Sequence, residues 1–135
     1  MRVLICGGRE YDDRDAVWQT LDDLRAKYGN LTVIQGGATG ADMLAREWCY
    51  KQPSVRMINE PAQWGDISHP DAVVRYKANG QPYDAKAGPR RNAKMLREYN
   101  PHLVIAFPGG AGTKDMMSKA KRAGVKVIRA GQWKP

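Results

Sequence analysis

The chain of 135 residues has only two cysteines, two histidines and one phenylalanine, and these scarcities exclude several kinds of protein. Cys6, in a predicted strand, and Cys49, in a predicted helix, make no disulfide framework, and neither has a Cys or His neighbour at ligand spacing. Both read as packing residues. His69 and His102 show neither metal nor triad spacing, so no metal site is expected. Apolar runs are short. Stretches such as Leu103–Phe107 fall well below the roughly 20 residues of a membrane helix, and Met1 leads straight into a strand-like run instead of a signal peptide. A cytoplasmic protein with no membrane partner is the expectation. Acidic residues are the minority charge, 14 against 22 basic, for a net +8. The basic excess lies in the C-terminal half, at Lys86, Arg90, Arg91, Lys94 and Arg97 and again from Lys114 to Arg129. It calls either for an anionic partner or for a solubility role.

The length, with 42% hydrophobic residues, suits one domain over residues 1–135. Arg2–Cys6 is an unbroken apolar run ending at a glycine pair, as expected of a strand buried on both faces. Asp15–Tyr28 carries apolar residues at helical spacing and stops at Gly29-Asn30. Leu31–Ile34 and Ala41–Tyr50 repeat the strand and helix patterns, and Ser54–Ile58 is a weaker third strand. Periodicity is lost from Asn59 to Lys86, a long functional loop in which Ala72–Ala78 has some helical character. A helix opened by Pro89 in its first turn and closed by Asn100-Pro101 follows. Strand His102–Phe107, helix Lys114–Ala123 and strand Val125–Arg129 complete the series, with a tail Ala130–Pro135 packed through Trp133. Such alternation predicts an α/β, Rossmann-like three-layer sandwich around a five-stranded parallel sheet, of order 3-2-1-4-5 counting the predicted strands. Its topological switch point lies between the first and fourth of them.

Three glycine clusters follow predicted strands: Gly7-Gly8-Arg9, Gly36-Gly37-Ala38-Thr39-Gly40, and Gly109-Gly110-Ala111-Gly112-Thr113. All three therefore belong to the carboxyl edge of the sheet. Glycine permits close approach to the main chain, and a helix beginning there offers unpaired N–H groups to a phosphate. Neither the dinucleotide fingerprint G-x-G-x-x-G nor the P-loop G-x-x-x-x-G-K-[ST] occurs at the first strand, which argues against ordinary NAD binding and P-loop ATP hydrolysis. No cofactor is expected.

Gly7-Gly8-Arg9 with Tyr11-Asp12, Gly36-Gly37-Ala38 with Gly40-Ala41-Asp42, Ala87-Gly88-Pro89 with Arg91-Asn92 and Met95, and Phe107-Pro108-Gly109-Gly110 with Gly112-Thr113 and Met116 carry a family resemblance. Together they resemble the YspA-like branch of the SLOG (SMF/DprA-LOG) superfamily, across nearly the whole chain except 59–86. The resemblance implies a Rossmann-like nucleotide-binding domain. Its relatives include the LOG phosphoribohydrolases, which release a base from a nucleoside monophosphate, and the DNA-processing protein DprA. The LOG loop P-G-G-x-G-T-x-x-E is matched from Pro108 to Thr113, but Met116 stands at the catalytic Glu position. Asp115 is one residue earlier, about 100° around a helix. Arg90 or Arg91 could supply the LOG arginine, and Arg91 is in register with the motif.

The candidate ligand-binding residues are Gly7, Gly8, Arg9, Gly36, Gly37, Ala38, Asp42, Arg91, Asn92, Pro108, Gly109, Gly110, Gly112 and Thr113. Arg91, Asp42 and Asp115 are the candidates for catalysis. Asp42 suits either the helix dipole or a ribose, Asp12 and Asp13 either a helix cap or a ribose. Trp64, Tyr76 and Tyr83 suit either base stacking or anchoring of the long loop. The leading expectation is binding of a nucleotide-like small molecule, with phosphate held by Gly109–Thr113, Arg9 and Arg91 and ribose by Asp42. The alternatives are an N-glycosidase acting on a nucleotide and nucleic-acid binding driven by charge. The LOG resemblance further implies a homodimer.

Overall fold

The computed structural model describes residues 1–134, so Pro135, the last residue of the predicted tail, lies outside the described residues. In chain order the elements are β1 (Arg2–Cys6), α1 (Arg14–Tyr28), β2 (Thr32–Gln35), α2 (Ala41–Tyr50), β3 (Arg56–Asn59), β4 (Val74–Tyr76), β5 (Pro82–Asp84), α3 (Ala87–Tyr99), β6 (Leu103–Ala106), α4 (Ala111–Arg122) and β7 (Lys126–Arg129). A 3-10 turn, Ala130–Gln132, follows. β1 sits at the centre of a parallel sheet of order β3-β2-β1-β6-β7, with Val3 opposite both Val33 and Leu103. Counted without β4 and β5, this is the order 3-2-1-4-5 that the alternation of elements predicts.

Period-two alternation divides the sheet between two cores. Val3 and Ile5 of β1 face α1 and α2, where they meet Val17, Leu21, Leu24 and Trp48. Leu4 faces the other way, toward Met95 of α3 and Met116 of α4. Because both faces are covered, Val3–Cys6 of β1, Val33 and Ile34 of β2 and the whole of β6 are apolar. Trp48, buried in the first core, is satisfied by donating its indole N–H to Asp22 Oδ1 at 2.9 Å. Trp133 of the tail packs against this same core.

Two local expectations need correction. Ala72–Ala78 is not helical: Val74–Tyr76 is extended and pairs antiparallel with Pro82–Asp84, forming a separate two-stranded sheet. The reason is the Asn79-Gly80 turn, where Gly80 takes φ +85 and its N–H donates to the Lys77 carbonyl. α4 begins at Ala111, ahead of the expected Lys114, since the glycine-rich segment after Gly110 already winds as helix. At α1 the competition between roles is resolved locally: Asp13 caps the helix by accepting from the Ala16 N–H at 3.0 Å.

Gly40, just before α2, has φ +72, and a Cβ there would lie 2.0 Å from the Gly8 carbonyl oxygen. Gly112, in the first turn of α4, has nothing within 4 Å of a Cβ. Gly40→Ala is therefore expected to destabilise the fold by about 3 kcal/mol or more. Gly112→Ala is expected to be neutral or stabilising by about 0.5–1 kcal/mol. Urea unfolding monitored by circular dichroism separates the two.

Candidate functional site

The three glycine loops are joined backbone to backbone at the carboxyl edge of the sheet. The Gly8 N–H donates to the Pro108 carbonyl at 2.8 Å, and the Gly8 carbonyl accepts from the Ala41 N–H at 3.1 Å. The cavity they enclose has a volume of about 770 Å³ and opens between the ends of β1 and β6, the switch point of the sheet. Gly7, Gly8, Arg9, Gly36, Ala38, Asp42, Arg91, Asn92, Pro108, Gly109, Gly110, Gly112, Thr113 and Asp115 all line it. Gly37 does not: it makes the turn behind the wall at φ +70, donates its N–H to Gln35 Oε1 and faces Asn59 and Pro61.

Arg91 and Asp42 meet at Gly36. Arg91 Nη1 donates to the carbonyls of Gly36 and Glu60, and Nε donates to Asn92 Oδ1 at 3.0 Å. Asp42 Oδ2 accepts from the Gly36 and Ala38 N–H groups at 3.1 and 3.3 Å, pinning the second loop from the first turn of α2. A Cβ on Gly36 would lie 2.4 Å from Arg91 Nη1 and 3.0 Å from Asp42 Oδ2, so only glycine lets both side chains reach this loop. Burial raises the Asp42 pKa, outweighing the Ala38 N–H, the Arg91 charge and the Gly36 N–H, which act the other way. Burial also lowers the Arg91 pKa, against the pull of Asp42. The Cys6 thiol, pushed up to about 12 by burial and then by Asp42, is an unreactive part of the wall.

Asn92 continues the chain of polar contacts to α4. Its Nδ2 donates to Asp115 Oδ2 at 3.0 Å and to the Gly112 carbonyl at 3.2 Å, and Lys119 Nζ reaches Asp115 Oδ1. Asp115 thus faces the cavity in a neutralised setting. Met116 is 1% exposed and belongs to the core under α3 and α4, so position 116 points away from the cavity. The two neighbouring arginines also part company. Arg90 pairs with Asp84 at 2.8 Å, leaving Arg91 as the arginine of α3 that reaches the cavity.

The mouth comes from the irregular segment. Trp64 lines the cavity, with Arg9 Cζ 5.0 Å from its ring centroid and the Tyr83 ring edge-on at 6.4 Å. Its indole packs on α3 at Gly88, where a Cβ would lie 2.6 Å from Trp64 Cη2. Asp84, fully buried, ties the hairpin down by accepting from the Val73 and Lys86 N–H groups as well as from Arg90. The arginine hydrogen bond leads in holding its carboxyl below the ordinary range. Sequence reasoning passed over Asp84, and likewise Glu60, whose Oε1 accepts from the Tyr99 hydroxyl and sits 3.2 Å from Lys94 Nζ. The only local signal for either was an acidic residue beside a turn.

The Tyr99 hydrogen bond is the main cause of a lowered Glu60 pKa. A carboxylate with a depressed folded-state pKa stabilises the fold above its unfolded value and loses that contribution as pH falls through the folded one. Glu60→Gln should therefore lose less melting temperature than the parent chain on acidification from pH 6 to pH 3, as scanned by calorimetry. Equal losses would mean that Glu60 plays no such part.

The family described as YspA, cpYpsA-related SLOG matches this chain over residues 1–66. The Gene 61 protein of Mycobacterium phage D29 is 37% identical over 134 residues, covering 96% of each chain. Among solved structures, TM1055 superposes with a TM-score of 0.62 at 21% identity, covering 95% of this chain and 72% of that one. MurG of Acinetobacter baumannii gives a TM-score of 0.58 at 13% identity, with 95% of this chain spanning 34% of that one. At these identities the two structures speak for the Rossmann-like fold alone.

Proposed function

We propose that this chain, which belongs to the YspA, cpYpsA-related SLOG family, binds a nucleotide or nucleotide-derived ligand through its phosphate and ribose. The observation that carries this reading is the convergence of three glycine loops, Arg9 and Arg91 on one cavity at the switch point. Its volume of about 770 Å³ suits a ligand of that size. Phosphate belongs at the start of α4, where the first-turn N–H groups have no helical carbonyl to meet and the dipole favours an anion. Arg9 and the Nη2 of Arg91, whose other N–H groups are engaged within the protein, supply charge-assisted donors, and Asp42 with the second loop stands where the ribose would lie. Gly112 adds support: no protein atom requires a glycine there, and in a helix it costs about 1 kcal/mol relative to alanine. Bare backbone at that point leaves room for a ligand to approach.

A panel of nucleoside mono-, di- and triphosphates, cyclic nucleotides and NAD-derived nucleotides, read by thermal shift, tests the reading, because a ligand of the native state raises its melting point. Arg9→Gln should weaken the best ligand about tenfold or more, at the strength of one charge-assisted contact, and should lower the unliganded melting point only slightly, through loss of the Arg9–Trp64 contact. Arg91→Ala should abolish binding, and Gly112→Ala should weaken it without loss of fold. A panel with no shift at millimolar concentration sinks the proposal.

One observation favours a second reading, cleavage of an N-glycosidic bond: two carboxylates, Asp42 and Asp115, line the same cavity. Such cleavage needs stabilisation of an oxocarbenium-like centre and activation of water, both tasks for carboxylates. Free base should then appear on chromatography of the incubated ligand, and Asp115→Asn should suppress it at least about 100-fold, the usual worth of a general acid or base. A melting-point rise without any product assigns the cavity to binding alone.

A further inference from the structure

The positive charge is divided unevenly between the two helical layers. α1 and α2 together hold four basic and five acidic residues, whereas α3 and α4 hold eight basic and two acidic. On the second layer several cations are engaged: Arg90 with Asp84, Lys94 with Glu60, Arg97 with Glu98 and Lys119 with Asp115. Lys114, Lys121, Arg122, Lys126 and Arg129 are different. All five are exposed, and among the described residues none forms an ion pair.

We infer that this α4–β7 surface binds the phosphate backbone of a nucleic-acid duplex. Lys114, Ser118, Lys121 and Arg122 are exposed at spacings of four, three and one residue, so they form a single stripe along α4. From Lys114 to Arg122 the stripe is about 12 Å long at roughly 1.5 Å per residue. Phosphates follow one another at about 3.4 Å along the axis for each strand of a duplex. Arg129 extends the stripe sideways from the edge strand β7, which packs beside α4, whereas Lys126, of opposite parity on that strand, is turned toward the α1 and α2 side. Each end of the stripe opens into a cleft. One, of about 660 Å³, is flanked by Lys114 and Arg129; the other, of about 580 Å³ between the ends of α3 and α4, by Arg97, Lys119 and Arg122. Among the described residues no carboxylate lines either cleft.

The same surface argues against other anionic partners. A protein or a bilayer would need apolar anchors among the charges. The exposed large apolar residues are Tyr28, Met43, Tyr50, Ile67, Val74 and Tyr76, and none is on α3, α4 or β7. Single strands are held by stacking on aromatic rings, which this face also lacks. What it offers is cations alone, suited to regular phosphates and indifferent to sequence.

Fluorescence anisotropy with a labelled 20-base-pair duplex, titrated over a range of salt concentrations, tests the inference, with substitutions at positions outside the glycine-loop cavity. Micromolar binding is expected at about 0.15 M salt, with log K falling against log salt at a slope of about −3.6, about 0.9 for each of the four cations Lys114, Lys121, Arg122 and Arg129. Lys121→Gln/Arg122→Gln should reduce that slope by about two and weaken binding at least about tenfold at the same salt. The control pair Lys51→Gln/Arg56→Gln removes equal charge from exposed positions at the opposite edge of the sheet, at the end of α2 and on β3, and should leave binding within about twofold. Equal weakening by both pairs would reduce the effect to net charge and overturn the inference. So would affinity indifferent to salt, tighter binding of a single strand of the same length, or equal competition by polyglutamate. Melting temperatures of the four altered positions, all exposed, verify that folding is unaffected.

Discussion

Everything at the carboxyl edge of this sheet depends on one junction, the peptide of Gly8. Its N–H is committed to the loop after β6 and its carbonyl to the first residue of α2. The connections that leave β2 and β6, the two neighbours of β1, are therefore tied to the same residue, and the gap between them has fixed width. Side chains have no part in the junction, and a Cβ on Gly40 would collide with it. The cavity is accordingly a property of the main chain, prepared before any ligand arrives, and the side chains that line it are placed on a rigid frame.

The second tier is the polar chain laid over that frame. Arg91 ties the Gly36 and Glu60 carbonyls to Asn92, and Asn92 ties Arg91 to Asp115. Two helices and two loops thus share one network in which every buried charge has an opposite neighbour or an N–H donor. Burial pulls the Asp42 pKa up and the Arg91 pKa down, each toward its neutral form, and their proximity opposes both tendencies. An anionic group entering beside Arg91 would add to that opposition on the arginine side. Such a site is electrically responsive to occupancy, which a cavity lined by exposed lysines would not be.

The sheet order and the glycine loops were legible in the sequence because they rest on local signals: apolar runs that stop at glycine, and helical periodicity between them. Arg91 over Arg90 was legible too, from register with the family motif. What stayed hidden depended on contacts across the chain. Asp84 is an ordinary acidic residue in sequence and a buried tether in space, 6 positions from the arginine it holds. The hairpin of β4 and β5 is too short for periodicity to speak, and its Asn79-Gly80 turn was the one readable sign. Gly37 looks like its neighbours but turns away, because a single positive φ sends its N–H to Gln35. The Met116 position illustrates the same limit: motif alignment names the residue, and only packing shows that it faces the core while Asp115 faces the cavity.

The segment that carries Trp64 and the hairpin leaves the sheet after β3 and rejoins the fold at α3 without contributing a strand to the central five. It is fastened by Asp84, by the Arg9–Trp64 contact and by the fit of the indole on Gly88. The wall of the cavity is thus a separable part, hung on a few attachment points, while the floor is continuous with the sheet. Insertions, deletions or substitutions in this wall leave strand register untouched. For the proposed ligand, selectivity can then change in the wall without renegotiating how the protein folds, on a different clock from the grip of the floor.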